Sequence, residues 1–243
     1  MDLIKRYFEF LNLLMGVISH LVGALIVGLA LLPSYYLVLY AWKYVSGRPE
    51  SFLNALLFCL SLGLAAFLFG NVLLLTIVVL RNVLPIKNKA VAGEFRGLPV
   101  NLLRAAAHNF LVNLAQHTFL PMVRGTPLIN WFYRGMGMKI GKDTLITTTR
   151  IMDCDMIEVG DGCVIGGGAA LSAHTGEKGR GVLKPVKLGN RVTIGADTLV
   201  LPGTVIEDNV IVGSNSLIPK DAHLEGNAIY GGIPVKKIKS MEG

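Results

Sequence analysis

Charge is scarce in this 243-residue chain, in which only 16% of the residues are Asp, Glu, Lys or Arg. It is missing altogether from residues 10–42 and from residues 51–80. Each of these two runs is longer than the about 20 apolar residues that cross a bilayer as a helix. Together with a mean hydropathy of +0.56, they exclude a wholly soluble chain and predict two membrane-spanning helices.

Cysteine is also rare. Cys59, Cys154 and Cys163 cannot all pair with one another, and Cys59 lies inside the second apolar run. No spacing of Cys and His typical of a zinc site is present. These absences exclude a disulfide framework, and we expect no metal site.

Acidic residues are nearly absent from residues 81–139, which hold eight basic residues and one acidic residue. Residues 140–243, in contrast, hold 11 basic and 12 acidic residues. The basic excess therefore directly follows the second apolar run, where it favours the cytoplasmic face and anionic lipid. It does not lie on the folded C-terminal region, so we expect no nucleic-acid partner.

The first apolar run is too long for the core of a signal peptide, so we interpret it as a retained anchor that tilts, kinks or emerges near Pro33. A polar turn at residues 46–51 reverses the chain into the second run. The prediction is a transmembrane helical hairpin over residues 1–85 of a multi-pass cell-membrane protein. The distribution of Lys and Arg favours a cytoplasmic position for both ends and for the C-terminal domain.

Residues 86–139 are predicted to form a basic juxtamembrane linker with an amphipathic helix. Between Leu98 and Leu120, polar residues recur at intervals of three and four and leave a wide apolar face. We expect this helix to lie in the membrane surface and to end at Pro121. The next segment contains Trp131, Phe132 and Tyr133, which we expect to cap the following domain.

A six-residue period organises residues 140–243. An aliphatic residue returns at every sixth position in the following series: Leu188, Ile194, Val200, Ile206, Val212, Ile218 and Leu224. This hexapeptide pattern is typical of a parallel β-helix, in which three short strands and 18 residues make one coil.

His174 lies at the only long break in this period. Leu171 and Leu188 are separated by 17 positions where six are expected, so residues 175–185 are predicted to be an inserted loop. When Met152 is aligned with Leu171, Asp155 and His174 occupy equivalent places in neighbouring coils about 4.8 Å apart. A carboxylate there would orient the imidazole and raise its basicity, as a general base requires.

The alternative is that His174 shapes the loop and Asp155 caps a turn. His223, which has no insertion beside it, is interpreted as a surface residue.

Residues 140–238 resemble the left-handed β-helix acyltransferases of the hexapeptide-repeat class, and their closing segment SNSLIPKDAHLEGNAIYGGIPVKKI is similar to the end of that class. The order of apolar spans, linker, GTPLINWFYRGMGMKIG, CDMIEVGD and LSAHTGEKG resembles the membrane-attached C-terminal domains of ε-poly-lysine synthetase and related peptide synthetases. The resemblance implies a homotrimer that uses acetyl-CoA or another acyl-CoA as co-substrate, with His174 as general base and Asp155 in the acidic position.

The resemblance also implies a groove for coenzyme A between subunits. The backbone of Gly195 and Ala196 and the turn of Gly213, Ser214 and Asn215 would line the pantetheine arm. Lys220, Lys236 and Lys237 would meet the phosphates. Two departures from the family pattern are Val235 in place of alanine, and the loop Thr175 to Lys178 in place of an acidic sequence. The second departure leaves open whether the donor is a CoA thioester or a carrier-bound one.

The function expected from these features is an integral-membrane acyltransferase that acts on a hydroxyl or amine of a membrane lipid or lipid-linked acceptor. Three alternatives stay open at this point. One is an amide-forming condensation domain like those of the poly-lysine synthetase relatives, and another is a non-catalytic trimeric membrane scaffold. The third, a β-helical carbonic anhydrase, needs three converging histidines, whereas the repeats contain only His174 and His223.

Overall fold

The computed structural model describes residues 2–49, 51–86, 93–95, 100–177 and 180–241. Contacts between residues divide the chain into two compact units, Met1–Ile77 and Val78–Gly243. Much of the predicted basic linker, at residues 87–92 and 96–99, and Lys178 in the predicted loop lie outside the described residues.

The N-terminal unit is helical. Helix α1 spans Asp2–Ser46 and helix α2 spans Phe52–Val83. Leu13–Ser46 and Phe52–Val83 are long and apolar enough to cross a membrane. Helix α1 continues through Pro33 instead of ending there, and the next residue, Ser34, donates a hydrogen bond from its hydroxyl to the Ala65 carbonyl oxygen at 2.7 Å.

The second unit contains the predicted parallel β-helix, which is confirmed. Its first sheet contains β2 (Lys139–Ile140), β5 (Ile157–Val159), β10 (Val186–Leu188), β13 (Val205–Ile206) and β16 (His223–Leu224). Its second sheet contains β3 (Leu145–Ile146), β6 (Val164–Ile165), β11 (Thr193–Ile194), β14 (Val210–Val212), β17 (Ala228–Gly231) and the antiparallel β18 (Lys236–Ser240). Its third sheet contains β4 (Ile151–Met152), β7 (Ala170–Ser172), β12 (Leu199–Val200) and β15 (Leu217–Ile218).

The six-residue series forms the core of the coils. Ile194 pairs with Ile165 below it and with Val212 above it, and all three side chains are buried. In the third sheet, Val200 lies between Leu171 and Ile218 in the same way. Each fully buried aliphatic side chain of this kind stabilises the fold by about 1.5–3 kcal/mol. The repeat in the sequence is therefore a repeat of stacked core positions.

The turns between the sheets use left-handed backbone conformations at recurring places. Arg191, Asn209 and Asn227 follow one another at intervals of 18 residues, with φ of 54°, 57° and 53°. Asn and Asp tolerate this conformation better than most residues because their short polar side chains bond locally. Asp153, with φ of 51°, is the left-handed residue that follows the first strand of the third sheet.

Two helices cover the first coils. Helix α4 (Pro127–Gly135) buries Phe132 and Tyr133, and the Tyr133 hydroxyl donates to the Thr149 carbonyl oxygen at 3.0 Å. The predicted cap is therefore confirmed for these two side chains, whereas Trp131 stays exposed. A 3-10 helix at Leu120–Val123 precedes α4.

Helix α3 (Val100–Gln116) differs from the expectation that it lies in the membrane surface. Its apolar residues Leu111, Val112 and Ala115 are buried, and the Gln116 amide donates to the Ile151 carbonyl oxygen at 2.9 Å. The polar residue Gln116 of this helix thus bonds to the β-helix. A six-residue repeat with incomplete first coils needs such a cover, because open solenoid ends expose apolar core.

The predicted inserted loop is an antiparallel β-hairpin. Strand β8 (His174–Glu177) pairs with β9 (Arg180–Leu183), and β1 (Gly93–Phe95) adds a third strand beside β9. His174 is the first residue of this hairpin. The described residues of the insertion are therefore paired strands and not an irregular loop.

Candidate active site

The site is centred on a hydrogen bond between His174 and Asp153. The Nδ1–H group of His174 donates to Oδ2 of Asp153. The aspartate side chain is 1% exposed, whereas the histidine side chain is 43% exposed. The bond to Asp153, and the negative charge of that carboxylate, raise the pKa of His174, and burial opposes them. The imidazole is thus oriented from within the protein and accessible from outside.

Local geometry explains why these two residues meet. Asp153 adopts its left-handed conformation between β4 and the 3-10 turn Cys154–Met156, which turns its carboxylate toward the next coil. His174 follows β7, where the Ser172 hydroxyl donates to the His174 carbonyl oxygen at 2.9 Å. Both residues closely follow strands of the third sheet, β4 and β7, and we call this edge of the coils the histidine edge.

The predicted pairing of His174 with Asp155 is wrong. Leu171 aligns with Ile151 and not with Met152, so the register of the first coil is shifted by one residue from the prediction. This alignment places Cys154 opposite His174, and the left-handed turn at Asp153 brings the carboxylate of Asp153 to the imidazole, while Asp155 is buried.

Asn109 of α3 holds the Asp153 carboxylate from the other side. Its amide nitrogen donates to Oδ1 of Asp153 at 2.6 Å, and its amide oxygen accepts from the Asp153 backbone N–H at 3.0 Å. Sequence reasoning missed this residue because α3 and β4 are far apart in the chain. Its only signal was its place on the polar face of the predicted helix.

Asp155 belongs to a separate buried cluster. Its carboxylate oxygens lie 3.8 Å from Nη2 of Arg81 and 3.6 Å from Nε2 of His108. Burial is the main cause that lowers the pKa of His108, and the charge of Arg81 acts in the same direction, whereas Asp155 opposes them. Burial likewise raises the pKa of the neighbouring Cys154 thiol. The cluster contains Arg81 from the last turn of α2, His108 from α3 and Asp155 from the first coils, and all three side chains are buried.

Gly137 leaves the space that this cluster occupies. Its φ is +99°, and a Cβ atom there would lie 2.1 Å from Nη2 of Arg81 and 2.9 Å from Cβ of Asp155. No other residue type fits this backbone without displacing the cluster. Asp155 thus has a structural role, because it contacts helix residues Arg81 and His108 from the coils.

A pocket of about 240 Å³ lies beside His174. Helix α3 lines it with Ala105, Ala106 and Asn109, and the hairpin lines it with residues that include Val182 and Leu183. Nε2 of His174 has no hydrogen-bond partner among the described residues, and Asp153 and His174 both line the pocket. A general base with a free nitrogen at a pocket is the arrangement that deprotonates a bound hydroxyl or amine.

The glycine turns expected to line coenzyme A share another edge of the coils. Gly195 and Ala196 follow the second sheet, and Gly213, Ser214 and Asn215 follow it one coil later. The Asn215 N–H donates to the Ala196 carbonyl oxygen at 2.8 Å, and a Cβ on Gly195 would lie 2.4 Å from the Ser214 nitrogen. We call this the glycine edge. It is not the edge that carries His174.

The three lysines do not lie together. Lys236, exposed, pairs with Gly231 at the glycine edge, and Lys237, beside it on β18, is 3.3 Å from Glu225. Lys220 lies instead on the histidine edge, where it forms an ion pair with Glu177 of the hairpin at 2.8 Å. The expected grouping of all three lysines around one set of phosphates is therefore not present within a single chain.

The second histidine of the repeats is separate from this site. His223 is exposed, as predicted, and its Nε2 lies 2.8 Å from Oε1 of Glu207. Within the described ranges, no group of three or more His, Cys, Asp or Glu residues could hold a metal ion.

Two family models match the repeats. The model for bacterial transferase hexapeptide (six repeats) matches residues 185–220, and the model for the hexapeptide repeat of succinyl-transferase matches residues 157–173. The coils and their period thus define a hexapeptide-repeat β-helix. YvoF of Bacillus subtilis (strain 168), a protein named as an acetyltransferase, is 34% identical over 140 residues, which cover 55% of this chain and 80% of YvoF. The chain therefore belongs to the hexapeptide-repeat acyltransferase family.

Other relatives match over less of their length. Galactoside O-acetyltransferase of Escherichia coli (strain K12) is 28% identical over 46% of this chain and 58% of its own length. Delta-poly-L-ornithine synthetase of Acinetobacter baumannii (strain AB307-0294) is 25% identical over 50% of this chain, but the match spans only 9% of that synthetase. Among solved structures, the hexapeptide-repeat acetyltransferase VCA0836 of Vibrio cholerae complexed with acetyl coenzyme A aligns with a TM-score of 0.48 at 16% identity, over 61% of this chain and 93% of that chain.

Proposed function

We propose that this protein is an integral-membrane acyltransferase that moves an acetyl or other acyl group from coenzyme A to a hydroxyl or amine of a membrane-associated acceptor. The observation that carries the proposal is the hydrogen bond between His174 Nδ1 and Asp153 Oδ2, with the other imidazole nitrogen at a pocket. The relatives named as acetyltransferases support acetyl transfer.

In the proposed reaction, Nε2 of His174 removes the proton from the acceptor O–H or N–H. At the same time, the acceptor oxygen or nitrogen attacks the thioester carbonyl carbon with its lone pair. The C–S bond then breaks, and the thiolate takes the proton from the imidazolium to leave as the free thiol of coenzyme A. The ester or amide of the acceptor is the second product. Asp153 keeps the proton on Nδ1 and stabilises the imidazolium, so that Nε2 is the basic nitrogen.

The donor would bind along the glycine edge, with its pantetheine arm against Gly195, Ala196 and the turn Gly213, Ser214 and Asn215. Lys236 and Lys237 would contact its phosphates, and Lys220 would do so from another chain. Because the glycine edge and the histidine edge of one chain are different edges, the geometry supports a homotrimer in which the donor of one subunit meets His174 of its neighbour.

The acceptor is proposed to be a membrane lipid or a lipid-linked molecule, with the β-helix at the cytoplasmic face of the cell membrane. The two helices long and apolar enough to span a bilayer support this proposal. The basic excess that follows them supports the orientation.

The test is thiol release from acetyl-CoA by the full-length protein supplied with total membrane lipid. His174→Ala is expected to lower the rate by about 10²–10⁴-fold, the range for loss of a general base. His223→Ala is the matched control, since this second histidine of the coils pairs with an exposed carboxylate, and it should keep the wild-type rate. Equal rates for both variants would contradict the proposed base. The lipid acceptor would be contradicted if thiol were released without lipid, at a rate on soluble sugars as high as the rate on lipid.

An amide-forming reaction is the second candidate, favoured by the match to the poly-ornithine synthetase. Both candidates give an amide when the acceptor is an amine, so an ester product contradicts the amide-forming candidate. Treatment of the radiolabelled product with alkaline hydroxylamine releases an ester but leaves an amide intact. A non-catalytic scaffold, the remaining alternative, requires that no thiol be released with any acceptor and that coenzyme A not bind.

A further inference from the structure

We infer that the pocket beside His174 binds an aliphatic group attached next to the reacting bond. The inference rests on the proposed function, because it names the substrate chemistry of the same site. It extends that proposal by assigning to α3 and the β8–β9 hairpin a direct part in substrate binding.

The apolar character of the pocket is the first argument. Ala105 and Ala106 line it from the helix side, and Val182 and Leu183 line it from the hairpin. Val182 and Leu183 are each only 3% exposed. Burial of methylene groups against such side chains is favourable, whereas burial of hydroxyl groups without partners costs free energy.

The polar side chains of Asp153, Asn109 and His174 at the pocket already bond to one another. Oδ1 of Asp153 accepts from Asn109, Oδ2 accepts from His174, and the amide oxygen of Asn109 accepts from the Asp153 backbone. A sugar ring placed here would find few free partners for its hydroxyl groups. The free nitrogen of His174 serves one reacting group, so the rest of the bound group is expected to be aliphatic.

A pair of glycines widens the pocket beside the base. Gly176 pairs with Gly181 across the hairpin, and His174 pairs with Leu183 two positions earlier. Residues that pair directly across two strands, and residues two apart in one strand, point to the same face of the sheet. His174, Leu183, Gly176 and Gly181 therefore share one face of the hairpin, and the two glycines leave a gap beside His174 and Leu183. A Cβ atom on Gly176 would meet no heavy atom within 4 Å among the described residues. Space for a substrate chain thus begins one side chain away from the imidazole.

Two substrate parts would present this chemistry next to the reacting bond. One is the acyl chain of the donor thioester, and the other is an alkyl chain that carries the acceptor hydroxyl or amine. Both are short runs of methylene groups, and a pocket of about 240 Å³ is smaller than the roughly 300–1,000 Å³ of sites for drug-sized ligands.

The experiment measures binding to the full-length protein in lipid nanodiscs, with protein-free nanodiscs as background. In one arm, coenzyme A, acetyl-CoA, butanoyl-CoA and hexanoyl-CoA are titrated by calorimetry. In the other arm, ethanol, 1-butanol and 1-hexanol are compared by saturation-transfer NMR. Affinity is expected to rise with chain length in at least one arm, by up to about fourfold per methylene. A rise in the first arm identifies the donor chain, and a rise in the second identifies the acceptor.

Two variants fill the pocket from opposite sides, and a third is their control. Gly176→Leu fills the gap in the hairpin and Ala106→Leu fills it from α3, while Ala107→Leu adds the same side chain one residue along, outside the pocket. Both filling variants should abolish the dependence on chain length, and Ala107→Leu should keep it. A flat response in both arms, or equal slopes in the filling variants and the control, would overturn the inference.

The same measurements keep the inference separate from the proposed function. His174→Ala should stop thiol release but retain the dependence of binding on chain length. If affinity depends on chain length but His174→Ala still releases thiol at the wild-type rate, the proposed base is contradicted and the pocket stays supported. Thiol release that requires His174 with no chain-length dependence would overturn the pocket alone.

Discussion

The two halves of the β-helix follow the same six-residue rule with different strictness. From Val186 to Leu224 the series proceeds without a slip, and each strand pairs in register with the strand one coil away. Between Lys139 and Pro185, the step between core positions falls to five residues from Ile146 to Ile151 and rises to eight from Ile151 to Val159, where the chain turns through a left-handed Asp153. A hairpin then extends after β7. The residues of the proposed catalytic pair both lie in the irregular half. Regular coils provide a rigid frame, and departures from them let side chains leave the core and form a site.

The buried polar groups of the two halves differ in the same way. In the regular half they are hydroxyl groups, such as Thr198 and Ser216, which donate to the Gly213 carbonyl oxygen at 3.0 Å and 2.7 Å. In the irregular half and its covering helices they include Arg81, Asp153 and Asp155. A buried hydroxyl needs one partner, whereas a buried charge needs an opposite charge or several hydrogen bonds. The irregular half therefore depends on helices from outside the repeat.

The largest effect on this comparison is expected from Asp153→Asn. The new amide would present an N–H group to Nδ1 of His174, which then has to accept and so places its proton on Nε2, the nitrogen that should act as base. We expect turnover to fall by about 10²–10⁴-fold with the thermal stability of the coils little changed. Steady-state kinetics beside a thermal melt checks this result.

The pH profile of the same variant makes the prediction sharper. The Asp153 carboxylate raises the pKa of His174, so the acid limb of kcat/KM in the wild type should lie above the ordinary value of about 6.5. Without that carboxylate the imidazolium loses stabilisation, its pKa falls, and the limb should move to lower pH. An unmoved limb would show that another group titrates in the reaction.

A core substitution in the regular half should have the opposite pattern. Ile206 is 1% exposed and lies between Leu188 and Leu224 in the first sheet. Ile206→Ala is expected to destabilise the domain by about 2–5 kcal/mol, because it removes apolar contacts and leaves a cavity. The turnover of the protein that remains folded should be unchanged. Loss of turnover without a lower melting temperature would contradict the claim that the regular coils only support the site.

The smallest of these effects is expected from Asn109→Ala, which tests whether α3 belongs to the site. The Asp153 carboxylate and backbone N–H would each lose one partner, at a cost of about 1–3 kcal/mol for the unsatisfied buried group. We expect turnover to fall by roughly tenfold, with the pH limb still governed by the intact pair of His174 and Asp153. Asn113→Ala, one turn further along α3, is the matched control. Equal activity of the two variants would remove Asn109 from the site.

The resemblance and the period were sufficient to predict the fold and to direct attention to His174. Six-residue recurrence depends on local chain geometry, so it is visible in the sequence without knowledge of distant contacts. The error at Asp155 came from a step of five residues, instead of six, between the core positions Ile146 and Ile151. Asp153 and Asp155 are both acidic and flank Cys154, so nothing in composition separates the carboxylate that meets His174 from the carboxylate that meets Arg81.

The sequence by itself determined a hexapeptide-repeat β-helix after two long apolar helices, and an insertion that begins at His174. Only the tertiary structure decided which aspartate faces that histidine, and that Asn109 of α3 holds this aspartate in place. It also decided that the insertion folds as a hairpin over a pocket. The physical reason is that a repeat is set by neighbours along the chain, whereas a one-residue register and a contact across 44 positions are set by the packing of the whole domain.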